Sequence, residues 1–232
     1  MATFDPILAG FAAASAVGWT TLAAARATSM RKELLLRGLL GGTAAFALAF
    51  SGYALLDGSG VRVTWEGMLA GGWPAVGLAL LIGLLEEGAK LAGILLAARD
   101  LARPGVALIL TVGVSAGFAG LEAVSALSEA TTVASLGRAL LAPVAHAALA
   151  LPLGLAIAWS ARRRLPAALA VVGPALLVAA LLHGASDLSL TSTWPGRLGF
   201  AVALLAPVLA LFAYARAVGR TRAPAAVSVQ AP

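Results

Sequence analysis

The fold of this chain is decided by residues 81–96, which read LIGLLEEGAKLAGILL. Two adjacent carboxylates and a lysine stand inside an apolar run whose length suits a membrane-spanning helix. Ionisable groups at such a depth are costly and usually serve a function. Helical spacing puts Glu86 and Lys90 four residues apart on one face, with Glu87 three residues before Lys90. The pattern predicts that the lysine holds one carboxylate while the other stays free for chemistry.

The composition is that of an integral membrane protein. Of the 232 residues, 61% are hydrophobic and only 11% are charged, whereas soluble domains carry about 25% charged residues. Cysteine is absent, which excludes disulfides, thiolate metal sites and a cysteine nucleophile. The N-terminus lacks the basic region of a cleavable signal peptide, so we expect the first apolar stretch to remain as a membrane helix.

Seven apolar stretches are each long enough to cross a hydrocarbon core of about 30 Å. The predicted fold class is therefore all-α, a polytopic membrane helix bundle with about seven transmembrane helices. The predicted spans are roughly 7–25, 36–56, 68–98, 104–127, 139–161, 165–188 and 198–218. The run Gly71-Gly72-Trp73-Pro74 is expected to break the third span, so that its helix begins near Pro74.

The basic residues predict the orientation of the bundle. Twelve of the 16 lysines and arginines fall near the loops that follow the first, third, fifth and seventh spans. Because such residues accumulate on the cytoplasmic side, the N-terminus is predicted outside and the C-terminus inside. The net charge of +6 is then explained by anchoring to a lipid bilayer rather than by nucleic-acid binding. The predicted location is multi-pass in a cell membrane, the bacterial inner or plasma membrane.

Three further spans carry isolated polar groups: Glu122, His146, and His183 with Asp187. At about 1.5 Å of rise per residue, these groups and the glutamate pair lie roughly 18 to 28 Å above the inner boundary. All of them fall in the outer half of the membrane, which predicts one polar cavity open to the outside. His183 and Asp187 are four residues apart, so the carboxylate can orient the imidazole.

Aromatic residues near the ends of the spans are interpreted as membrane anchors. Tyr53, Trp65, Trp73 and Trp194 are predicted near outer ends and Trp159 near an inner end. This placement is typical of the aromatic belts at membrane–water interfaces.

The polar set suits hydrolysis. A glutamate can take a proton from water and deliver it to a leaving amine, and a histidine can donate a hydrogen bond to the oxyanion. The same set can alternatively bind a divalent metal such as zinc through His146, His183 and Glu122, with an open position for water. Either Glu86 or Glu87 can be the base.

Four motifs resemble those of the PrsW family of intramembrane proteases. Residues 86–90 (EEGAK) are similar to its EExxK motif, and residues 118–122 (FAGLE) to its FxxxE motif. Arg138 with His146, and residues 183–187 (HGASD), resemble its two later histidine motifs. The wider superfamily, with CAAX prenyl endopeptidases and bacteriocin-immunity-type proteins, uses EExxxR, FxxxH and HxxxN. Lys90 and Glu122 depart from that pattern and favour the PrsW branch.

The resemblance implies cleavage of peptide bonds in or near the membrane, with single-span membrane proteins such as anti-sigma factors as substrates. The chain has only two histidines, and Lys90 lies beside the glutamates. These two features favour a metal-free reaction. The predicted catalytic residues are Glu86, Glu87, Glu122, His146 and His183, and the supporting residues are Lys90, Phe118, Arg138 and Asp187. Residues 1–220 are predicted to form one transmembrane domain with its catalytic core at about 81–187, followed by a disordered cytoplasmic tail, 221–232.

Two other classes of function use similar residues. A proton-coupled transporter also needs Glu, His and Lys within the membrane, but the inner third of the spans is nearly free of charge, which disfavours a path across the bilayer. A catalytically inert binding or immunity-type protein is disfavoured by the intact polar residues in all four motifs. The sequence does not indicate the oligomeric state.

Overall fold

The computed structural model describes residues 31–98, 104–129, 133–161 and 163–191. These ranges are helical and contain no strand, which confirms the all-α fold class. The helices are α1 (Arg31–Gly58), α2 (Trp65–Leu69), α3 (Gly72–Ala97), α4 (Pro104–Glu129), α5 (Val133–Leu149), α6 (Leu151–Ser160) and α7 (Leu165–Leu190).

Four stretches among the described residues are long and apolar enough to cross a membrane: Glu33–Gly58, Gly105–Ser125, Ala139–Ser160 and Leu165–Leu190. They coincide with the second, fourth, fifth and sixth predicted spans. Helix α3 is 26 residues long, which is sufficient to span a bilayer, but its apolar run is interrupted by charged side chains. The first and seventh predicted spans and the predicted tail, 221–232, lie outside the described residues.

The third predicted span, which was to start at Met68, consists of two helices. Thr64 caps the five-residue helix α2 by accepting a hydrogen bond from the Gly67 amide at 3.2 Å. Gly71 and Gly72 follow with φ of 73° and 70°, a left-handed conformation that glycine adopts without a steric penalty. The predicted break is therefore confirmed, and α3 begins at Gly72, two residues before the expected Pro74.

The fifth predicted span is also divided, into α5 and α6, at Ala150. Pro152 stands at the start of α6 and has no amide hydrogen for the carbonyl four residues earlier. The helical hydrogen bonds continue on both sides, from the Ala150 amide to the His146 carbonyl and from the Gly154 amide to the Ala150 carbonyl, both at 3.0 Å. The two helices therefore form one span that is interrupted at Ala150.

Helix α3 packs against α1, α4 and α7, and glycines set how closely it approaches α7. A Cβ atom added to Gly83 would lie 2.2 Å from the Ala180 carbonyl oxygen, and one added to Gly184 would lie 2.7 Å from the Ala79 carbonyl oxygen. The two backbones are therefore in contact, as small residues permit in membrane bundles. This contact places the charged turn of α3 beside the turn of α7 that carries His183.

Helix α1 approaches the bundle in the same way. A Cβ atom on Gly38 would lie 2.8 Å from the Gly113 Cα atom of α4, and one on Gly41 would lie 2.7 Å from the Gly93 carbonyl oxygen of α3. The buried core of apolar side chains between these helices includes Ala89, Ile94, Leu110, Val114, Phe118, Leu153 and Ile157. Phe118 also contacts the polar groups described below, so the core and the polar cluster are contiguous.

We expect Gly83→Ala to destabilise the protein, because its methyl group must separate α3 from α7. Overpacking of this kind costs about 1–3 kcal/mol. Gly77→Ala, on the same helix, is the matched control, because a Cβ atom there meets nothing within 4 Å. Thermal unfolding in detergent measures both variants, and equal unfolding temperatures would contradict the close contact.

Candidate active site

A buried ammonium group organises the polar cluster. Lys90 Nζ donates to Glu87 Oε1 at 2.7 Å and lies 2.8 Å from His146 Nδ1. The Lys90 and Glu87 side chains are both 0% exposed. Nζ also lies 4.6 Å from the centre of the Phe118 ring, within the range of a cation–π interaction. The charge of Lys90 is therefore shared among groups from α3, α4 and α5.

The two adjacent glutamates have different environments. Glu87 is held by Lys90 and also accepts a hydrogen bond from His183 Nδ1 at 2.8 Å. Glu86 accepts a hydrogen bond at Oε1 from the Tyr53 hydroxyl, at 2.8 Å. Its other oxygen, Oε2, lies 3.3 Å from His183 Nε2 and 3.9 Å from Lys90 Nζ. Glu87 is thus the carboxylate held by the lysine, and Glu86 the less constrained one.

The contacts of His146 define its tautomer. An ammonium group only donates hydrogen bonds, so Nδ1 of His146 accepts from Lys90. The proton of the neutral ring is then on Nε2, which lies 2.8 Å from Glu122 Oε2. This assignment is inferred from the partners of the ring. Both nitrogens of His146 are therefore engaged by protein groups.

His183 presents its second nitrogen to Glu86. Because Nδ1–H donates to Glu87, the lone pair of the neutral ring is on Nε2. Nε2 lies 3.8 Å from Asp187 Oδ2, which is too long for a hydrogen bond. The sequence predicted that Asp187 orients this imidazole. In the structure, Glu87 Oε1 accepts the hydrogen bond from Nδ1 of this ring, and Asp187 lines the adjacent cavity.

A cavity of ≈ 170 Å³ lies against these groups. Glutamate, histidine and aspartate side chains line one part, and the α1–α2 connection and α2 provide a more apolar wall. The lining residues are Tyr53, Val63, Thr64, Met68, Ile82, Glu86, Glu122, His183 and Asp187. The polar lining and the volume make the cavity suitable for water.

The residues around the cavity fit a divalent metal in type and spacing. One ligand atom each from Glu86, His146 and His183 lies within 4.8 Å of the others, and two histidines with one carboxylate form a known catalytic zinc set. Glu86 Oε2 is buried and has no hydrogen-bond partner among the described residues. A metal at His146 would replace its contact with Lys90 or with Glu122.

Formal charge also favours a cation at this site. The described part of the cluster contains a single ammonium group and four carboxylates, those of Glu86, Glu87, Glu122 and Asp187. Such an excess of negative charge at membrane depth calls for protons or a metal ion.

The structure brings together nearly all of the predicted site residues. Glu86, Glu87, Glu122, His146 and His183 are linked by the contacts above, and Lys90, Phe118 and Asp187 lie beside them. Arg138 belongs to α5, but its side chain lies outside the described residues. The three residues close enough together to hold one metal ion are Glu86, His146 and His183. The sequence had suggested Glu122 as the carboxylate ligand.

Tyr53 was misassigned by the sequence. It was expected to anchor α1 in the membrane interface, but its hydroxyl is directed into the protein and bonds Glu86. The sequence also did not predict that Val63, Thr64 and Met68 line the cavity. The one available signal for Tyr53 was its rarity, because the chain has only two tyrosines.

An apolar helical bundle with buried glutamates and histidines beside a cavity is compatible with a membrane-embedded hydrolase. The family described as PrsW family intramembrane metalloprotease matches residues 7–214. The chain therefore belongs to this family, which makes it a membrane protein and a membrane-embedded peptidase. Searches among curated proteins and among solved structures found no match.

We expect Lys90→Met to destabilise the fold strongly, because it leaves Glu87 as a buried charge without its ammonium partner. Breaking a buried ion pair in this way costs about 3–5 kcal/mol. Adding Glu87→Gln to Lys90→Met removes the uncompensated charge and should recover part of the loss. Denaturation in detergent measures the free energy of unfolding of the wild type, the two single variants and the double variant. If the effects of the two substitutions simply add, the pairing of Lys90 with Glu87 is contradicted.

Proposed function

We propose that the protein is an intramembrane endopeptidase that cleaves single-span membrane proteins, with anti-sigma factors as the expected substrate class. Two observations carry the proposal: Glu86, His146 and His183 lie close together, and Glu86 and His183 line a polar cavity. The family supports peptide hydrolysis, and the resemblance noted in the sequence suggests the kind of substrate.

Glu86 is the proposed general base. Glu86 is among the residues that line the cavity, and Glu87 is not. Oε1 of Glu87 is also bound by both Lys90 and His183. Water in the cavity transfers a proton to Glu86 as its oxygen attacks the substrate carbonyl. Glu86 then passes that proton to the departing amine as the C–N bond breaks.

The histidines are proposed to stabilise the charge that develops on the attacked oxygen. Glu87 holds His183 through Nδ1, so that Nε2 is available at the cavity, where in its protonated form it can donate to the oxyanion. His146 is held between Lys90 and Glu122 and limits the movement of both. Glu122 and Asp187 line the same cavity and are proposed to orient water.

A metal ion is compatible with the same residues. As the alternative to a metal-free reaction we propose zinc, which Glu86, His146 and His183 would hold and which would supply a Lewis acid that polarises the carbonyl and activates water. Glu86 would then be a metal ligand rather than the base. Whether the reaction requires zinc is decided by the chelator experiment below.

We expect Glu86→Gln to lower cleavage at least roughly 100-fold, because an amide cannot accept the proton of the attacking water. The assay is cleavage of a panel of tagged single-span proteins by the purified, reconstituted protein. Glu66→Gln is the matched control: its exposed carboxylate on α2 is not among the cavity-lining residues. Unchanged cleavage by Glu86→Gln would refute its role as the base.

The same assay with EDTA separates the two mechanisms. Activity that persists in chelator but is lost in Glu86→Gln supports a glutamate-activated water. Activity that is lost in chelator and restored by zinc assigns the metal an essential part. Absence of cleavage for every substrate would shift support to the transport and binding alternatives.

The proposed arrangement in the membrane has seven spans, with the N-terminus outside and the C-terminus inside a bacterial plasma membrane. It is supported by the distribution of basic residues. Substrates would then enter the cavity from the outer half of the bilayer.

Single-cysteine labelling tests this orientation, because the protein has no cysteine of its own. We expect an impermeant maleimide to label Ser59→Cys in intact cells, and to label Ala161→Cys only after permeabilisation. Ala161 lies directly before the arginines at 162–164, which stay in place to preserve the topology signal. The reverse pattern would invert the proposed orientation.

A further inference from the structure

Tyr53 is the cavity residue contributed by α1, a helix that carries none of the four motifs. Its hydroxyl donates to Glu86 Oε1 at 2.8 Å, across 33 residues of sequence. Tyr53 also lines the cavity. The contact therefore links a residue outside the motifs to the proposed base.

We propose that Tyr53 is a positioning residue for Glu86. Its hydroxyl holds Oε1 and thereby turns Oε2 toward His183 Nε2 and the cavity. This inference rests on the proposed function, because it assigns Tyr53 a task through the carboxylate that handles water.

The hydrogen bonds of Glu86 support this role. Tyr53 is the one hydrogen-bond donor that the described residues provide to the Glu86 side chain at normal distance. The Lys90 ammonium is 3.9 Å from Oε2, beyond hydrogen-bond distance, and is engaged by Glu87. A carboxylate with one fixed oxygen has a defined plane, whereas one without it can rotate about its last bond. Bonds to a charged acceptor are also stronger than neutral ones.

Packing sets the position of the Tyr53 ring independently of its hydroxyl. The ring packs against the apolar core shared by α1, α3 and α4 and against the small cluster of Met68, Ala79 and Ile82. On α1, the preceding Gly52 fits against Leu85, the residue before Glu86, because a Cβ atom there would lie 2.5 Å from Leu85 Cδ1. The two helices are therefore close at the level of this hydrogen bond.

Tyr53→Phe is the direct test, because it removes the hydroxyl and keeps the ring. We expect kcat to fall roughly 10- to 100-fold, the effect typical of losing a group that orients an active-site residue. KM should stay at the wild-type value because the substrate contacts are retained. The unfolding temperature should fall only modestly, because the ring packing is kept while Glu86 Oε1 loses one hydrogen bond.

The matched control is Ser51→Ala on the same helix. The Ser51 hydroxyl donates to the Ala47 carbonyl at 2.8 Å on an exposed face of α1, so its removal deletes a hydroxyl without touching Glu86. We expect wild-type kcat for this variant. An equal loss of kcat in Ser51→Ala would assign the effect to α1 as a whole and overturn the proposal.

Infrared spectroscopy tests the contact without relying on activity. The carboxyl or carboxylate band that disappears in Glu86→Gln should be displaced in Tyr53→Phe, because Glu86 loses a hydrogen bond. An unshifted band, or wild-type kcat in Tyr53→Phe, overturns the positioning role. If Glu86→Gln is inactive and Tyr53→Phe is fully active, this inference fails and the proposed function stands. If the wild type cleaves no substrate but the band is displaced in Tyr53→Phe, the proposed function fails and the contact between Tyr53 and Glu86 stands.

Discussion

The ion pair between Lys90 and Glu87 is the interaction on which the rest of the site depends. An ammonium group that is 0% exposed in an apolar bundle has no water to solvate it, so protein groups must surround it. Glu87 comes from the same helix, but His146 and Phe118 come from two others. Satisfying one charge therefore draws α3, α4 and α5 together, and the bond from His183 to Glu87 adds α7.

The same ion pair separates the functions of two chemically identical neighbours. Successive helical residues point about 100° apart, so Glu87 reaches Lys90 at 2.7 Å while Glu86 remains 3.9 Å away. Glu87 is thereby occupied with holding a lysine and a histidine. Glu86 is turned to the cavity and to α1, which leaves it available for chemistry. In the proposed mechanism, Glu87 therefore maintains the site and Glu86 takes the proton from water.

Much of the helical framework could be read from the sequence, because it depends on local signals. The break before α3 follows from Gly71 and Gly72, because glycine adopts a left-handed backbone conformation without a steric penalty. The motif residues were found because polar groups are rare in these spans. Tyr53 was misassigned because a tyrosine near the end of a span has the same local sequence signal whether it faces the lipid headgroups or a buried carboxylate.

The all-helical class, the four motifs and the pairing available within one helix follow from the order of the amino acids, because a 3.6-residue repeat fixes which side chains share a face. The packing of the helices is what shows that Glu87 is the glutamate held by Lys90 and His183, and that Glu86 meets Tyr53. Those contacts depend on how closely and in what rotation the helices pack. That geometry is set by backbone contacts such as Gly83 against Ala180, and no periodicity within a single helix encodes it.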